Sequence, residues 1–360
     1  MRRRHFEALQ PVCPVCRTVG SGCAPLRIAS VAREADGHIL EGVLHCSQPN
    51  CQREYPILDG IPLIIANLRS YISDSVLAIY GRRDLSESLE SLLGDCCGPG
   101  STFDQTRQHL SSYAWEHYAD LDPDEPTGEP RPGTMLCALE AGWELAAAFP
   151  PGPLLEVGCS VGRGAFALAE RSESLVLGVD LNFAMLRMAG EVLRQGSVRY
   201  PRRRVGLVYD RREFSASFSH SENVDFWACD ALALPFAAGT FSLAVSLNVL
   251  DCVAGPAEFL AQLGFVLQAG GKAMLTCPYD WSPGATPLET WLGGHSQRSP
   301  SEGASEPVLR SLLTPGASPA SVPGLEFAGE RLKLPWHVRL HDRSTMTYQV
   351  HLVVAERARV

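Results

Sequence analysis

From residue 153 onward, short apolar runs alternate with stretches whose apolar positions recur every three or four residues. The runs at 154–157, 175–180, 224–230, 241–247 and 272–277 have the length of buried strands, while 163–171, 183–194 and 256–268 carry the helical period. Strands separated by helices predict an α/β unit with a mostly parallel sheet covered on both faces, because a parallel crossover needs an intervening helix. Near the end, 326–334 and 346–356 are predicted to pair as antiparallel edge strands. Two stretches, 195–222 and 281–325, are too long for ordinary connections and are expected to be functional covers or partly disordered segments. The Ser, Pro and Gly content of 296–322 predicts a mobile loop there.

Upstream the pattern differs. Residues 1–68 read as short strands and turns around two cysteine pairs, forming a small β module. From 70 to 93 the apolar positions Val76, Leu77, Tyr80, Leu85, Leu89 and Leu92 keep a helical period, with a stop predicted at Gly94. A further helix is expected at 103–119, an acid-, Pro- and Gly-rich connector at 121–133, and an Ala- and Leu-rich helix at 135–149. The division this predicts is 1–68 for the cysteine module, 69–133 for helices and linker, and 134–360 for the α/β domain.

Composition narrows the function classes. The 360 residues are 45% hydrophobic and 20% charged, enough for a sizeable core. No apolar run reaches the length of a membrane span, and the basic Met1 to His5 start leads into no apolar stretch, so a cytoplasmic location is expected. A formal net charge of -9 argues against a broad nucleic-acid footprint, although Arg202, Arg203 and Arg204 form one basic run and Arg211 with Arg212 another.

The most informative stretch runs from Leu154 to Gly164. A buried strand carrying Glu156 passes into Gly158, Ser160, Gly162 and Gly164 at the start of a helix, where glycines permit a sharp turn and close approach of a ligand to the backbone. The dinucleotide pattern G-x-G-x-x-G is absent. The next strand ends at Asp180, followed by Leu181, where doubly wound nucleotide sites place an acid for ribose hydroxyls. A third ends at Asp230, followed by Ala231; this acid equally suits a capping role. The order acid-x-Gly-x-Ser-x-Gly-x-Gly, with the two later acids, resembles class I S-adenosylmethionine-dependent methyltransferases. The resemblance implies a Rossmann-like, seven-stranded sheet and S-adenosyl-L-methionine held by Glu156, Gly158, Ser160, Gly162, Asp180, Leu181, Asp230, Ala231 and Asn248.

The fourth strand runs into Asn248-Val-Leu-Asp251 at the carboxyl edge of the sheet, where Asn248 and Asp251 are placed either to orient or deprotonate an acceptor or to cap the following helix. After the fifth strand come Pro278-Tyr-Asp-Trp281 and Trp291, whose aromatic groups suit the wall of a small-molecule pocket, with Tyr279 as a further candidate catalytic group. On α-helical spacing, Tyr113, Trp115, His117 and Tyr118 form either a lid over the cofactor or helix core. Together with Val161-Gly-Arg163 and Gly196-Ser-Val-Arg-Tyr200, these segments resemble the C-terminal methyltransferase domain of ovothiol-synthesising enzymes. That resemblance implies methyl transfer to the imidazole of a thiolated histidine; the iron-dependent sulfoxide synthase usual in the family is absent from this sequence.

Cys13-Pro-Val-Cys16 and Cys46-x4-Cys51 give two knuckles, the pattern of a tetrathiolate zinc site with a structural role, since four thiolates leave no open coordination position. The run from Cys51 to Ile65 resembles the zinc-ribbon activator subunits of tRNA and translation-factor methyltransferases. The expectation is therefore an S-adenosylmethionine-dependent methyltransferase acting on a small-molecule nitrogen or sulfur nucleophile. RNA or protein methylation through the ribbon, and a cofactor-binding scaffold without turnover, are the alternatives.

Overall fold

The computed structural model describes residues 1–18, 20 and 22–359. In chain order its elements are α1 (Arg3–Leu9), α2 (Pro14–Thr18), β1 (Leu26–Ala35), β2 (His38–Cys46), β3 (Glu54–Leu58), β4 (Ile61–Ile64), α3 (Leu68–Tyr80), α4 (Glu87–Cys97), α5 (Thr102–Tyr118) and α6 (Thr134–Ala146). There follow β5 (Leu154–Val157), α7 (Arg163–Ser172), β6 (Val176–Asp180), α8 (Phe183–Gln195), β7 (Ser197–Val205), β8 (Val208–Ser215), β9 (Val224–Cys229), β10 (Phe241–Leu247), α9 (Pro256–Val266), β11 (Leu267–Cys277), α10 (Ser305–Leu312), β12 (Leu325–His341) and β13 (Ser344–Arg357).

The alternating segments form a sheet in the order β1-β2-β3-β4-β9-β6-β5-β10-β11-β13-β12. Strands β9, β6, β5, β10 and β11 are parallel, and β13 and β12 complete the far edge antiparallel. The chain winds from β5 to one side and returns to β10 on the other, which leaves a crevice at their carboxyl ends. The expected seven strands are thus extended to eleven. The extra four come from the cysteine module: β4 pairs parallel with β9 through Leu63 opposite Ala228 and Ile64 opposite Cys229, so the module continues the sheet.

Side chains alternate between two cores. Leu155, Val157, Leu177, Val179 and Trp227 face a layer shared with α9 and the cysteine module. Leu154, Val176, Phe226, Leu243 and Val245 face α5, α6, α7 and α8. The continuous helix expected over 70–93 is instead two helices. The Arg187 guanidinium donates to the carbonyls of Ala78 (2.8 Å) and Ile79 (2.6 Å), closing the end of α3, and Ser86 caps α4 by accepting from Leu89 N. Gly94 lies within α4, which ends at Gly98 with φ +76°. The 195–222 stretch contains an ordered hairpin, β7–β8, so disorder, one of the two expectations for it, does not describe this segment. Within 296–322, α10 buries Leu309 and Leu312, so this stretch is anchored despite its composition.

Ile64 is fully buried where β4 meets β9. Ile64→Ala is expected to lower unfolding stability by about 2–4 kcal/mol. Urea unfolding followed separately by far-UV circular dichroism and tryptophan fluorescence should give coincident shifted transitions; two separated transitions would show that module and sheet do not unfold as one unit.

Candidate active site and thiol cluster

The strand-to-helix turn after β5 is built by close approach. Gly158 has φ +76°, and a Cβ there would collide with Val249; at Gly162, φ +92°, it would lie 2.6 Å from Phe226. A Cβ at Gly164 would strike Glu156 Oε1. The first turn of α7 therefore sits directly on the Glu156 carboxylate. That carboxylate is buried, its Oε2 has no partner among the described residues, and burial pushes its pKa up to about 8. Asp180, at the end of β6, accepts from Ser160 N and Asn182 N, each at 2.8 Å. Burial still raises its pKa, and each oxygen retains a second lone pair for a ligand.

These groups open into one cavity of about 540 Å³ at the carboxyl ends of β5, β6, β9 and β10. On its far side Asn248 takes φ +57°, and its Oδ1 accepts from the Thr276 hydroxyl at 2.8 Å. Asp251 is buried and accepts from Asp280 N at 2.8 Å; burial raises its pKa. Asp280 in turn accepts from the Tyr348 hydroxyl at 2.8 Å. His109, Tyr113 and His117, on one face of α5, form the roof, and Trp336 and Val338 of β12 close the remaining side. Burial drives the His117 imidazole down to about 3, keeping it neutral, with Nδ1 unpartnered among the described residues. Four carboxylates, Glu156, Asp180, Asp251 and Asp280, line the cavity; among the described lining residues there is no Lys or Arg.

The structure brings Glu156, Gly158, Ser160, Asp180, Leu181, Ala231, Asn248 and Asp251 around this cavity. Gly162, Asp230 and Tyr279 lie outside its lining. Gly162 serves packing, as the Phe226 approach shows, and the Asp230 carboxylate accepts from Leu232 N at 2.9 Å in its own turn. Tyr279 has φ +56° and its hydroxyl bonds His351 Nδ1 at 2.8 Å, which turns the ring away from the cavity. Trp281 stacks on Trp291 at 6.1 Å, so both pack behind the wall, and only Pro278 and Asp280 of that segment reach the lining. Of the candidate lid, Tyr113 and His117 line the cavity, whereas Trp115 and Tyr118 are core. His109, Trp336, Val338 and Tyr348 escaped the sequence reading. The spacing of His109, Tyr113 and His117, four residues apart, is a legible helical face.

In the cysteine module the Sγ atoms of Cys13, Cys16, Cys46 and Cys51 lie within 4.8 Å of one another. The separations Cys16–Cys46 (3.6 Å) and Cys13–Cys51 (3.9 Å) exceed a disulfide bond and bracket the edge of about 3.8 Å of a tetrahedron with metal–sulfur bonds of about 2.3 Å. Gln48 N donates to Cys46 Sγ, and Tyr55 Oη lies 3.1 Å from Cys13 Sγ, so the donor set is itself oriented. This is a four-thiol cluster able to bind a metal.

Residues 155–275 match the family model described as a methyltransferase domain. A Xenopus tropicalis tRNA (carboxymethyluridine(34)-5-O)-methyltransferase is 26% identical over 142 residues, covering 38% of this chain and 22% of that protein. The chain thus matches under a quarter of that relative's length. Among solved structures, a Methanosarcina mazei S-adenosylmethionine-dependent methyltransferase is 20% identical, covering 57% of this chain and 92% of that one, with a TM-score of 0.36. Haemonchus contortus phosphoethanolamine N-methyltransferase 2 with S-adenosyl-L-methionine is 21% identical, covering 39% of this chain and 28% of that one, with a TM-score of 0.30. Over residues 155–275 the chain carries a methyltransferase domain. No helix among the described residues is long and apolar enough to cross a membrane.

The Glu156 carboxyl gives a pH signature. Folded, it holds its proton to about pH 8, whereas unfolded it releases it near 4.5, so the folded state binds more protons between those values and stability falls as pH rises through them. Glu116, buried against Thr134 and Met135 and likewise pushed to about 8, adds a second slope of the same sign. Glu156→Gln should remove up to about 1.4 kcal/mol per pH unit of the ligand-free protein's slope and leave the Glu116 part. Thermal melts from pH 5 to pH 8 would check this; an unchanged slope would place the Glu156 carboxylate in water.

Proposed function

We propose that the chain transfers the methyl group of S-adenosylmethionine to a small-molecule nitrogen or sulfur nucleophile, with a thiolated histidine or related imidazole as its chemical type. The observation that carries this reading is the acidic lining without Lys or Arg: its Asp carboxylates favour a sulfonium or ammonium and offer no cation to a phosphodiester backbone, while the Glu156 carboxyl, protonated below about pH 8, adds hydrogen-bonding capacity rather than charge. The hairpin arginines do not offset it, because Arg202 is paired with Asp210 (2.5 Å), Arg211 with Glu90 (2.7 Å) and Arg212 with Asp122 (2.5 Å). The RNA alternative draws on the tRNA-modifying relative, and the same ion pairs count against it.

In this reading the unpartnered Glu156 oxygen and the free lone pairs of Asp180 receive donors of the cofactor, and the backbone at Gly158, Ser160, Leu181 and Ala231 lies against it. The bound cofactor supplies an activated methyl carbon, so the protein's part is alignment and exclusion of water. Asn248 orients the acceptor, its carbonyl fixed by Thr276. An imidazole nitrogen or thiol that takes a methyl group must lose a proton if it held one, and Asp251, its pKa raised by burial, is placed to accept it. The test is incubation of the purified chain with labelled S-adenosylmethionine and thiohistidines, histidine derivatives, RNA or protein extract. Label is expected in the first two, and Asp251→Asn should lower kcat by about 10²–10³-fold with little change in cofactor Kd. Label in RNA alone would overturn the acceptor, and no label anywhere would favour a scaffold.

We further assign zinc to the four thiolates in a structural role, within a module spanning 1–68 that precedes a helical linker at 69–133 and the domain at 134–360. Its thiol geometry supports this assignment. Metal analysis of the purified protein should find about one zinc per chain, and Cys16→Ser should reduce zinc content and melting temperature together. A metal-free protein of unchanged stability would contradict the assignment.

A further inference from the structure

A second cavity, of about 360 Å³, lies between α3, α4, α5, α8 and the β7–β8 hairpin. Six arginines line it, Arg82, Arg83, Arg107, Arg187, Arg199 and Arg211, and Glu90 is the one carboxylate among the described lining residues. Direct ion pairs take up part of this charge: Arg82 with Asp84 (2.6 Å), Arg83 with Glu191 (2.9 Å), Arg187 with Asp59 (3.0 Å), and Arg211 with Glu90 (2.7 Å). Arg199 reaches only the same Glu90, at 4.0 Å. Arg107 has neither an ion pair nor a hydrogen bond among the described residues, although it is 8% exposed. Its guanidinium face stacks 3.9 Å above the Tyr209 ring, which leaves its N–H edge for the cavity. The nearby Asp104 is engaged by Gly100 N, Gln108 and Tyr209.

Glu90, Asp95 and Asp104 act on Arg107 through space without a direct contact, so Arg107 and Arg199 are the two lining guanidinium groups that lack a short ion pair among the described residues. A planar donor fork that is stacked on an aromatic ring and makes no hydrogen bond among the described residues is pre-organised for an oxyanion. The remaining walls, Leu77, Ala78, Phe103 and Leu110, are apolar. We propose that this cavity binds a small organic dianion, a phosphomonoester or dicarboxylate on an apolar or aromatic body, held by Arg107 and Arg199. It is a different site from the carboxylate-lined cavity, and the inference does not depend on the methyl acceptor. Both sites share α5 and α8: Ala184 and Arg187 face the arginine cavity, and Met185 faces the other. An occupant would bridge α3 and α4, which bury little of themselves, to the body of the domain.

Calorimetry on the full chain with phenyl phosphate, phthalate, inorganic phosphate and neutral benzyl alcohol tests this. Phenyl phosphate, phthalate or both should bind, with affinity falling as salt rises, and the stronger of the two defines the dianion. Arg107→Met should weaken that binding at least about tenfold while leaving S-adenosylmethionine affinity unchanged. Arg199→Ala, at a half-buried position, carries the same test if Arg107→Met does not fold. The proposal is overturned if neither dianion binds, if benzyl alcohol binds as well as phenyl phosphate, or if binding survives in the folded variants.

Discussion

The site depends on one buried carboxylate held without a full set of partners. Glu156 ends up beneath the first turn of α7 because Gly164 has no Cβ, while Gly158 and Gly162 let Val249 and Phe226 close over the same turn. Packing on three sides removes water, and Oε2 is left unpartnered. An unsatisfied carboxylate in such a place costs stability unless it takes a proton or a donor. Around it stand the carboxyl groups of Asp180, Asp251 and Asp280, with no Lys or Arg among the described lining residues of the crevice.

The parts of this arrangement set by local backbone chemistry were legible in the sequence. The glycine turn, the acid at the end of β6 and the strand-helix alternation all follow from steric rules acting over a few residues. What depends on distant contacts was not. The parallel joint of β4 with β9 links residues more than 160 positions apart, and nothing local announces it, so the continuation of the sheet into β1–β4 is not legible along the chain. The strand expected over 326–334 continues past Pro335 to His341 as β12; Trp336 and Val338 lie in that extension and complete the cavity together with Tyr348 of β13. Tyr279 illustrates a further limit: consecutive residues after β11 point to opposite sides, and its positive φ sends the ring toward His351 while Asp280 enters the cavity.

Charge is sorted on a finer scale than the net value of -9 conveys. Carboxylates gather at the sheet's carboxyl edge, and guanidinium groups gather where the hairpin meets α5 and α8. Most of the hairpin's arginines are locked to acids from other elements: Arg212 ties β8 to the connector through Asp122, and Arg211 ties it to α4 through Glu90. The basic runs that stood out in the sequence therefore act mainly as fasteners that order an insertion.

The cysteine module is mechanically continuous with the cavity, and the path can be followed strand by strand. Cys46 ends β2, β2 pairs with β3, β3 with β4, and β4 lies along β9, whose last residue, Cys229, lines the cavity. From β4 the chain enters α3, where the Tyr71 hydroxyl donates to the Leu181 carbonyl at 2.9 Å, next to Asp180. Without β4, β9 would present an unpaired edge beside the site, with its backbone donors and acceptors open to another strand or to water. The four thiols bracket the turns that feed this ladder: Cys13 and Cys16 precede β1, Cys46 ends β2, and Cys51 precedes β3.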